Sequence, residues 1–276
     1  MPLHLHKGEG MQARSKSKRK LNLRKTLFLL PSLITLSSVF CGVDAIRITS
    51  EATTSEDYYR AAVLIVFAMF FDMLDGRVAR MTRTQSVFGL QLDSLADVVS
   101  FGVAPAVLVY HWSLKQVPTL GSVVAFLFVA AGAVRLARFN VLSMSDDGEP
   151  KKNSQYFLGL PIPAAAGGIV ALVIASQSGK LDVASHAWVM MGVTLGLGIL
   201  MVSNVRFRSF KQVRLELWTV LLMTFVVGST LAVGVQLGGA FVLVWMATVY
   251  ITMGLIESVI GLPRRWRENS KSIPPS

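Results

Sequence analysis

The segment that decides the fold reads, from residue 70 to residue 97, FFDMLDGRVARMTRTQSVFGLQLDSLAD. It joins two long apolar runs and brings acidic side chains to the end of one run and the start of the next. Charged residues are rare in membrane-spanning helices, because each costs about 2.5–3.5 kcal/mol even on a lenient scale. Four acidic residues share this segment: Asp72, Asp75, Asp93 and Asp97. Such a group in apolar surroundings indicates a functional site and requires cations to compensate its charge.

The rest of the chain is too apolar for a soluble domain. Of its 276 residues, 53% are hydrophobic and 16% are charged, and the mean hydropathy is +0.55. We predict an all-α polytopic membrane protein with about eight transmembrane helices, since each apolar run is close to the ~20 residues that cross a bilayer. These runs cover residues 27–48, 60–82, 86–112, 120–142, 161–178, 187–204, 216–236 and 240–262.

The basic residues predict the orientation of these helices. The net charge is +11, and all but four of the 27 Lys and Arg fall in the tails or in alternate turns between the runs. The exceptions are Arg47, Arg60, Lys115 and Lys180. The positive-inside rule then predicts cytoplasmic N- and C-termini, and it explains the basic charge without a nucleic-acid partner. We expect a basic N-terminal segment (1–25), a transmembrane domain (26–262) in the cell (inner) membrane, and a cytoplasmic tail (263–276).

Helical spacing places the first two aspartates beside small residues. At about 100° per residue, Asp72, Asp75, Gly76 and Ala79 fall within an arc of about 100° on one helix. A glycine inside a helix costs about 1 kcal/mol relative to alanine, so its presence indicates that another group approaches the backbone closely. This face therefore predicts space for a ligand next to two carboxylates.

The other two aspartates form a matching stripe on the following helix. Gly89, Asp93 and Asp97 are each four residues apart, which places the two carboxylates about 6 Å apart along the helix axis. Carboxylates from two facing helices suit hard divalent cations, and two ions fit if the aspartates are shared or bidentate. We predict a site for two Mg²⁺ or Mn²⁺ ions that performs phosphoryl transfer, at the cytoplasmic edge of the membrane.

These residues carry a family resemblance. The pattern Asp72-x-x-Asp75-Gly76-x-x-Ala79-Arg80, followed after eight residues by Gly89-x-x-x-Asp93-x-x-x-Asp97, resembles the signature of the CDP-alcohol phosphatidyltransferases. Residues 92–106, LDSLADVVSFGVAPA, are similar to the integral-membrane phosphatidylserine synthases of bacteria. Residues 135–140, 159–164 and 208–211 resemble segments of that same subfamily.

The resemblance implies a reaction and a set of site residues. The reaction converts CDP-diacylglycerol and L-serine into phosphatidylserine and CMP, and the resemblance also implies a homodimer among membrane lipids. The four aspartates would hold the two divalent ions. The residues implied to make room for or support the nucleotide are Gly76, Ala79, Arg80 and Gly89. Ser32 follows Pro31 where the family often has asparagine, while Thr35 is present as a further contact.

Binding of the acceptor and removal of its hydroxyl proton require additional residues. We expect Asp97 to be the general base, because a hydroxyl is a poor nucleophile until a positioned carboxylate takes its proton. Arg135, Arg138 and Asn140 are candidates for the serine pocket, since arginine binds both oxygens of a carboxylate. The two arginines are equally well explained as topology residues. Glu257, in the last apolar run, has no assigned role.

Two alternatives remain at this level. A related transferase with the same signature would use glycerol 3-phosphate or inositol as acceptor, and arginines also suit a phosphate-bearing acceptor. A cation-coupled transporter is the more distant alternative. It would place its carboxylates near the middle of the bilayer on broken helices, preferably in repeated halves.

Overall fold

The protein is a bundle of helices in a computed structural model that describes residues 23–82, 84, 86–143, 156–177, 183–208, 228–230 and 233–269. The helices are, in chain order, α1 (Leu23–Glu51), α2 (Ser55–Thr82), α3 (Val87–Asp97), α4 (Ala104–Trp112), α5 (Pro118–Ser143), α6 (Ile162–Ser176), α7 (Ala187–Val202) and α8 (Gly239–Asn269). A π-helical segment, Val98–Val103, joins α3 to α4, and a 3-10 turn, Leu114–Gln116, follows α4. The predicted helical class is confirmed.

Three helical stretches are long and apolar enough to cross a membrane. They are Leu29–Glu51, Val87–Trp112 and Pro118–Leu142. The 28-residue α2 has the necessary length but carries Asp72, Asp75 and Arg77 towards its C-terminal end. The apolar helices α6 and α7 have 15 and 16 residues, so α6 is only about 23 Å long. The structure thus supports a membrane protein, while eight spans and the orientation of the termini stay predictions.

Seven of the eight predicted runs correspond to described helices. The run at 216–236 and the basic segment at 1–25 lie largely outside the described residues. At the other end, α8 continues to Asn269, past the predicted end of the last run at residue 262. The side chain of Glu257 also lies outside what the structure describes.

The pairing of α1 with α2 positions the first half of the site. Polar residues start α2: the Thr54 hydroxyl accepts a hydrogen bond from the Asp57 amide, and the Asp57 carboxylate accepts bonds from the Thr54 hydroxyl and amide. This reciprocal cap satisfies amides at the helix N-terminus. These bonds hold the pKa of Asp57 below its usual range, and the bond from the Thr54 hydroxyl has the largest effect. The buried alanines of α2 (Ala61, Ala62 and Ala68) let the helices pack closely.

The π-helical segment, Val98–Val103, packs against α1. The Ser100 hydroxyl donates to the Ser38 carbonyl at 3.1 Å, and a Cβ at Gly42 would lie 2.9 Å from the Ser100 Cα. Only glycine therefore permits this approach at position 42. The segment follows Asp97 directly, so the carboxylate stripe of α3 ends where the regular helix ends.

A short antiparallel ribbon departs from the all-α prediction. Strand β1 (Tyr156–Leu158) pairs with β2 (Arg206–Arg208), with Phe157 opposite Phe207. Gly159 follows β1 at φ +78°, and its amide donates to the Val205 carbonyl at 2.8 Å. The alternation Val205-Arg206-Phe207-Arg208 has the period of a strand, but its three paired residues are too few to stand out beside long helices.

Candidate active site

Three of the predicted metal ligands converge between α2 and α3. One carboxylate oxygen from each of Asp72, Asp75 and Asp93 lies within 4.8 Å of the other two. We call these three residues the aspartate cluster. Asp75 is 4% exposed, and Asp72 and Asp93 are partly buried. Sequence spacing predicted which face of each helix carries its aspartates, and the structure shows that these faces meet.

Asp97 lies at the edge of the cluster. It is 9% exposed, and its carboxyl group interacts with that of Asp72. Two neighbouring carboxylates are stabilised by a shared proton or by a cation between them. The other oxygen of Asp97, Oδ1, is buried without a hydrogen-bond partner within the described part of the chain.

The aspartate cluster fits a divalent cation. Oxygen donors suit Mg²⁺ and Mn²⁺, and two oxygens bound to one Mg²⁺ at about 2.1 Å lie at most about 4.2 Å apart. The 4.8 Å limit for the cluster is therefore within reach of small side-chain rotations. Among the described residues, the ion pairs within 4 Å involve Asp44, Glu51 and Glu56, at the other end of α1 and α2, and none of the four aspartates. Within the described ranges, no Lys, Arg or His side chain is therefore paired with these carboxylates.

Thr35 of α1 contributes to the cluster through Asp75. Its hydroxyl lies 2.5 Å from Asp75 Oδ2 and 3.0 Å from the Pro31 carbonyl, and its side chain is buried. A hydroxyl has one proton to donate, so these two oxygens compete for it. The structure therefore places Thr35 where it orients a carboxylate.

The small residues leave open space beside the carboxylates. A Cβ added at Gly76 would meet only the Arg80 guanidinium, at 3.9 Å, which is an ordinary contact distance. Gly89 lies in the first turn of α3, where its amide donates to the Ser86 hydroxyl at 3.0 Å. Ala79 is partly buried and Arg80 is exposed. Packing against the described residues does not require glycine at position 76, so this part of the structure leaves space for a ligand.

The polar residues of α5 point in different directions. Arg135 is 8% exposed, interacts electrostatically with Asp97 and stacks on the Phe139 ring at 5.6 Å. Arg138 donates to Asn204 Oδ1 at 2.8 Å near the surface. Asn140 donates to the Ser94 hydroxyl of α3 at 2.9 Å. The structure therefore brings Arg135 to the aspartates and directs Arg138 to a different partner.

Known proteins are similar to this chain in sequence over most of its length. Residues 28–200 match the family model described as CDP-alcohol phosphatidyltransferase. The chain belongs to this family. Its CDP-alcohol phosphatidyltransferase segment spans α1 to α7, which includes all four aspartates and the three polar residues of α5. The prediction of an enzyme of this family is confirmed, and the transporter alternative is set aside.

Curated relatives in the CDP-alcohol phosphatidyltransferase family carry a common name. A protein of Helicobacter pylori (strain J99) is 41% identical over 191 residues, 69% of this chain and 76% of the relative. One of Mycobacterium leprae is 34% identical over 203 residues, 74% and 64% of the two chains. One of Bacillus subtilis is 32% identical over 183 residues, 66% and 92% of the two chains. Each of the three is named CDP-diacylglycerol–serine O-phosphatidyltransferase.

Sequence reasoning missed two residues of this site. Ser94 lies between Asp93 and Asp97 and bonds to Asn140, and a serine inside a helix gives no distinctive signal. Tyr250 of α8 interacts electrostatically with Arg135, although α8 lies beyond the segment that matches the family. Sequence periodicity describes the face of one helix, so it does not report which distant helix packs against that face.

Proposed function

We propose that this protein transfers the phosphatidyl group of CDP-diacylglycerol to the hydroxyl of L-serine, giving phosphatidylserine and CMP. The observation that carries the proposal is the convergence of Asp72, Asp75 and Asp93, from two helices, in a chain of this family. The choice of serine is supported by the names of the relatives. It is also supported by the similarity of residues 92–106 to the integral-membrane phosphatidylserine synthases of bacteria.

The four aspartates would hold two divalent ions, Mg²⁺ or Mn²⁺. When bound, such ions neutralise the pyrophosphate and stabilise the departing CMP. The protein supplies the fixed carboxylates, and Thr35 orients one of them through its hydrogen bond to Asp75. Gly76 and Ala79 leave the room that the nucleotide needs beside these carboxylates.

Asp97 is proposed as the general base. It accepts the proton of the serine hydroxyl while that oxygen forms a bond to the phosphorus of the phosphatidyl group and the bond from phosphorus to the CMP oxygen breaks. Its position outside the aspartate cluster and its unpartnered Oδ1 support this assignment. Arg135 interacts with Asp97 electrostatically, and Arg135 Nε also has no hydrogen-bond partner in the described part of the protein.

The active site is proposed to face the cytoplasm from the inner membrane. The exposed Arg77 and Arg80 beside the aspartates support this orientation, because positive charge accumulates on the cytoplasmic side. A homodimer is proposed from the family resemblance alone.

Release of CMP by purified protein tests the acceptor. With CDP-diacylglycerol and a divalent ion present, we expect release to depend on L-serine and phosphatidylserine to accumulate in equal amount. Glycerol 3-phosphate and inositol, supplied at the same concentration, serve as the comparison acceptors. Preferential use of either would assign the protein to a sister activity of the family.

The two arginines of α5 should respond differently to replacement by lysine. Arg135 is the proposed contact of the serine carboxylate. Arg135→Lys keeps the positive charge but loses the planar guanidinium, which can bind both oxygens of that carboxylate. Because hydrogen bonds to charged groups contribute about 1.5–3 kcal/mol, we expect the KM for serine to rise roughly tenfold or more. Arg138→Lys, the matched control, should leave that KM within about twofold, since Arg138 is already bonded to Asn204. A larger effect at Arg138 would transfer the acceptor contact to that residue.

Gly76→Ala should separate stability from substrate binding. Alanine favours the helix by about 1 kcal/mol, and no described atom lies closer than 3.9 Å to the added Cβ. The variant should therefore unfold at an equal or higher temperature, while the KM for CDP-diacylglycerol rises about tenfold or more because the methyl group occupies the ligand space. Gly192→Ala in α7 is the control, since a Cβ added there would meet no described atom within 4 Å. An unchanged KM at position 76 would show that the nucleotide does not occupy this face.

A further inference from the structure

A polar bridge joins α3 to α5 beside the aspartates. Asn140 Nδ2 donates to the Ser94 hydroxyl at 2.9 Å. The Ser94 hydroxyl has an acceptor in the Leu90 carbonyl of its own helix at 3.1 Å, and Asn140 Oδ1 lies 3.2 Å away as an alternative. We call this pair of side chains the Ser94–Asn140 bridge. It uses the Asn140 amide in a contact between helices.

The bridge acts on the part of α3 that carries the carboxylates. At about 100° per residue, Ser94 is rotated by about 100° from Asp93 and by about 60° from Asp97 around the helix axis. A contact at Ser94 therefore resists rotation of the stripe away from α2. Helix α3 is only 11 residues long, and its C-terminal end continues into the π-helical segment instead of into a further α-helical turn.

The bridge is well placed to control a small displacement. Oxygens that bind one cation must approach to about 4 Å or less, whereas those of the aspartate cluster are spread over up to 4.8 Å. A rotation of α3 by a fraction of a residue changes this spread, because Asp93 comes from α3 while Asp72 and Asp75 come from α2.

We propose that Asn140 is a positioning residue, which holds Ser94 and thereby fixes the rotation of α3 at which Asp93 and Asp97 face the carboxylates of α2. This inference rests on the proposed divalent-ion site of the proposed function. It gives Asn140 a role different from direct contact with the acceptor. Partners that orient metal ligands from outside typically change metal affinity by 10–100-fold.

Direct binding of Mn²⁺ to the purified full-length protein tests the bridge, with free Mn²⁺ followed by its electron paramagnetic resonance signal. Asn140→Ala and Ser94→Ala should each weaken Mn²⁺ binding about tenfold, and the double variant should be no weaker than either single variant, because all three lose the same contact. Ser94→Thr keeps the hydroxyl and should retain most of the affinity. Arg138→Gln, on the same helix, should leave Mn²⁺ binding unchanged.

Two results would overturn the proposal. Additive losses in the double variant would show that the two side chains act independently. Unchanged Mn²⁺ binding in Asn140→Ala, together with a raised KM for serine that Ser94→Ala does not reproduce, would make Asn140 a direct contact of the acceptor. Failure of the serine reaction itself is distinguishable, since wild-type protein would then bind Mn²⁺ and respond to the bridge variants without forming phosphatidylserine.

Discussion

Asp93→Asn should lower the rate of CMP release by on the order of 10³-fold and abolish high-affinity binding of Mn²⁺. The change removes one negative charge while keeping the shape of the side chain. A bound divalent ion contributes several kcal/mol of transition-state stabilisation, and each 1.4 kcal/mol corresponds to a factor of ten in rate. Asp72→Asn should behave in the same way, because the two carboxylates belong to one cluster.

The same variant should have an opposite effect on the metal-free protein. Without ions, the aspartate cluster has no cationic partner among the described residues, so replacing one carboxylate by an amide relieves repulsion between like charges. Thermal unfolding in the presence of a chelator should therefore occur at an equal or higher temperature. This pairing of lost activity with retained stability distinguishes removal of a ligand from misfolding.

Asp44→Asn is the matched control. Asp44 lies towards the far end of α1 in a surface ion pair with Arg47, which contributes about 0–1 kcal/mol. It should keep normal turnover and normal binding of Mn²⁺. Full CMP release by wild-type protein in excess chelator, or normal turnover by Asp93→Asn, would refute the metal-dependent mechanism.

Asp97→Asn should retain binding of CDP-diacylglycerol but lose about 10²–10⁴-fold in transfer to serine. General acid–base catalysis contributes rate factors of this size, and asparagine does not accept the proton of a hydroxyl at neutral pH. Protection of the protein against thermal unfolding by CDP-diacylglycerol measures the binding, and CMP release measures the transfer. Near-normal turnover would require a different base.

The interaction of Asp97 with Arg135 requires an additional control. Asparagine at position 97 would leave the buried Arg135 charge without the carboxylate that interacts with it, and an uncompensated buried charge destabilises a protein. Asp97→Asn combined with Arg135→Gln removes both charges and should restore stability without restoring transfer. Recovery of activity in the double variant would show that Asp97 acts only through the arginine.

The aspartate cluster was predictable because it depends on local geometry. Residues three or four apart on a helix must share a face, so the positions of Asp72, Asp75 and Asp93 follow from their spacing once both segments are helical. The apolar runs also predicted the helices themselves, because a run of about 20 apolar residues has few alternatives in a membrane.

The contacts between helices were harder to predict from the sequence. Arg135 and Arg138, three residues apart, are both candidates for the serine pocket; in the structure Arg135 interacts with Asp97 and Arg138 donates to Asn204. The choice depends on which helix covers each part of α5, and this is a property of the tertiary packing. The ribbon of β1 and β2 joins segments that are distant in the chain, so local patterning did not predict their pairing.

The π-helical segment changes the spacing of residues that share a face between α3 and α4. A π turn takes up about one more residue than an α turn, so the four-residue spacing of Asp93 and Asp97 does not continue into α4. Because the wider π turn absorbs the extra residue, removing one residue from Val98–Val103 would restore a regular helix and leave α3 and α4 in about the same relative orientation. The spacing of the aspartates is therefore set before this segment, and the packing positions of α4 follow a residue register of their own.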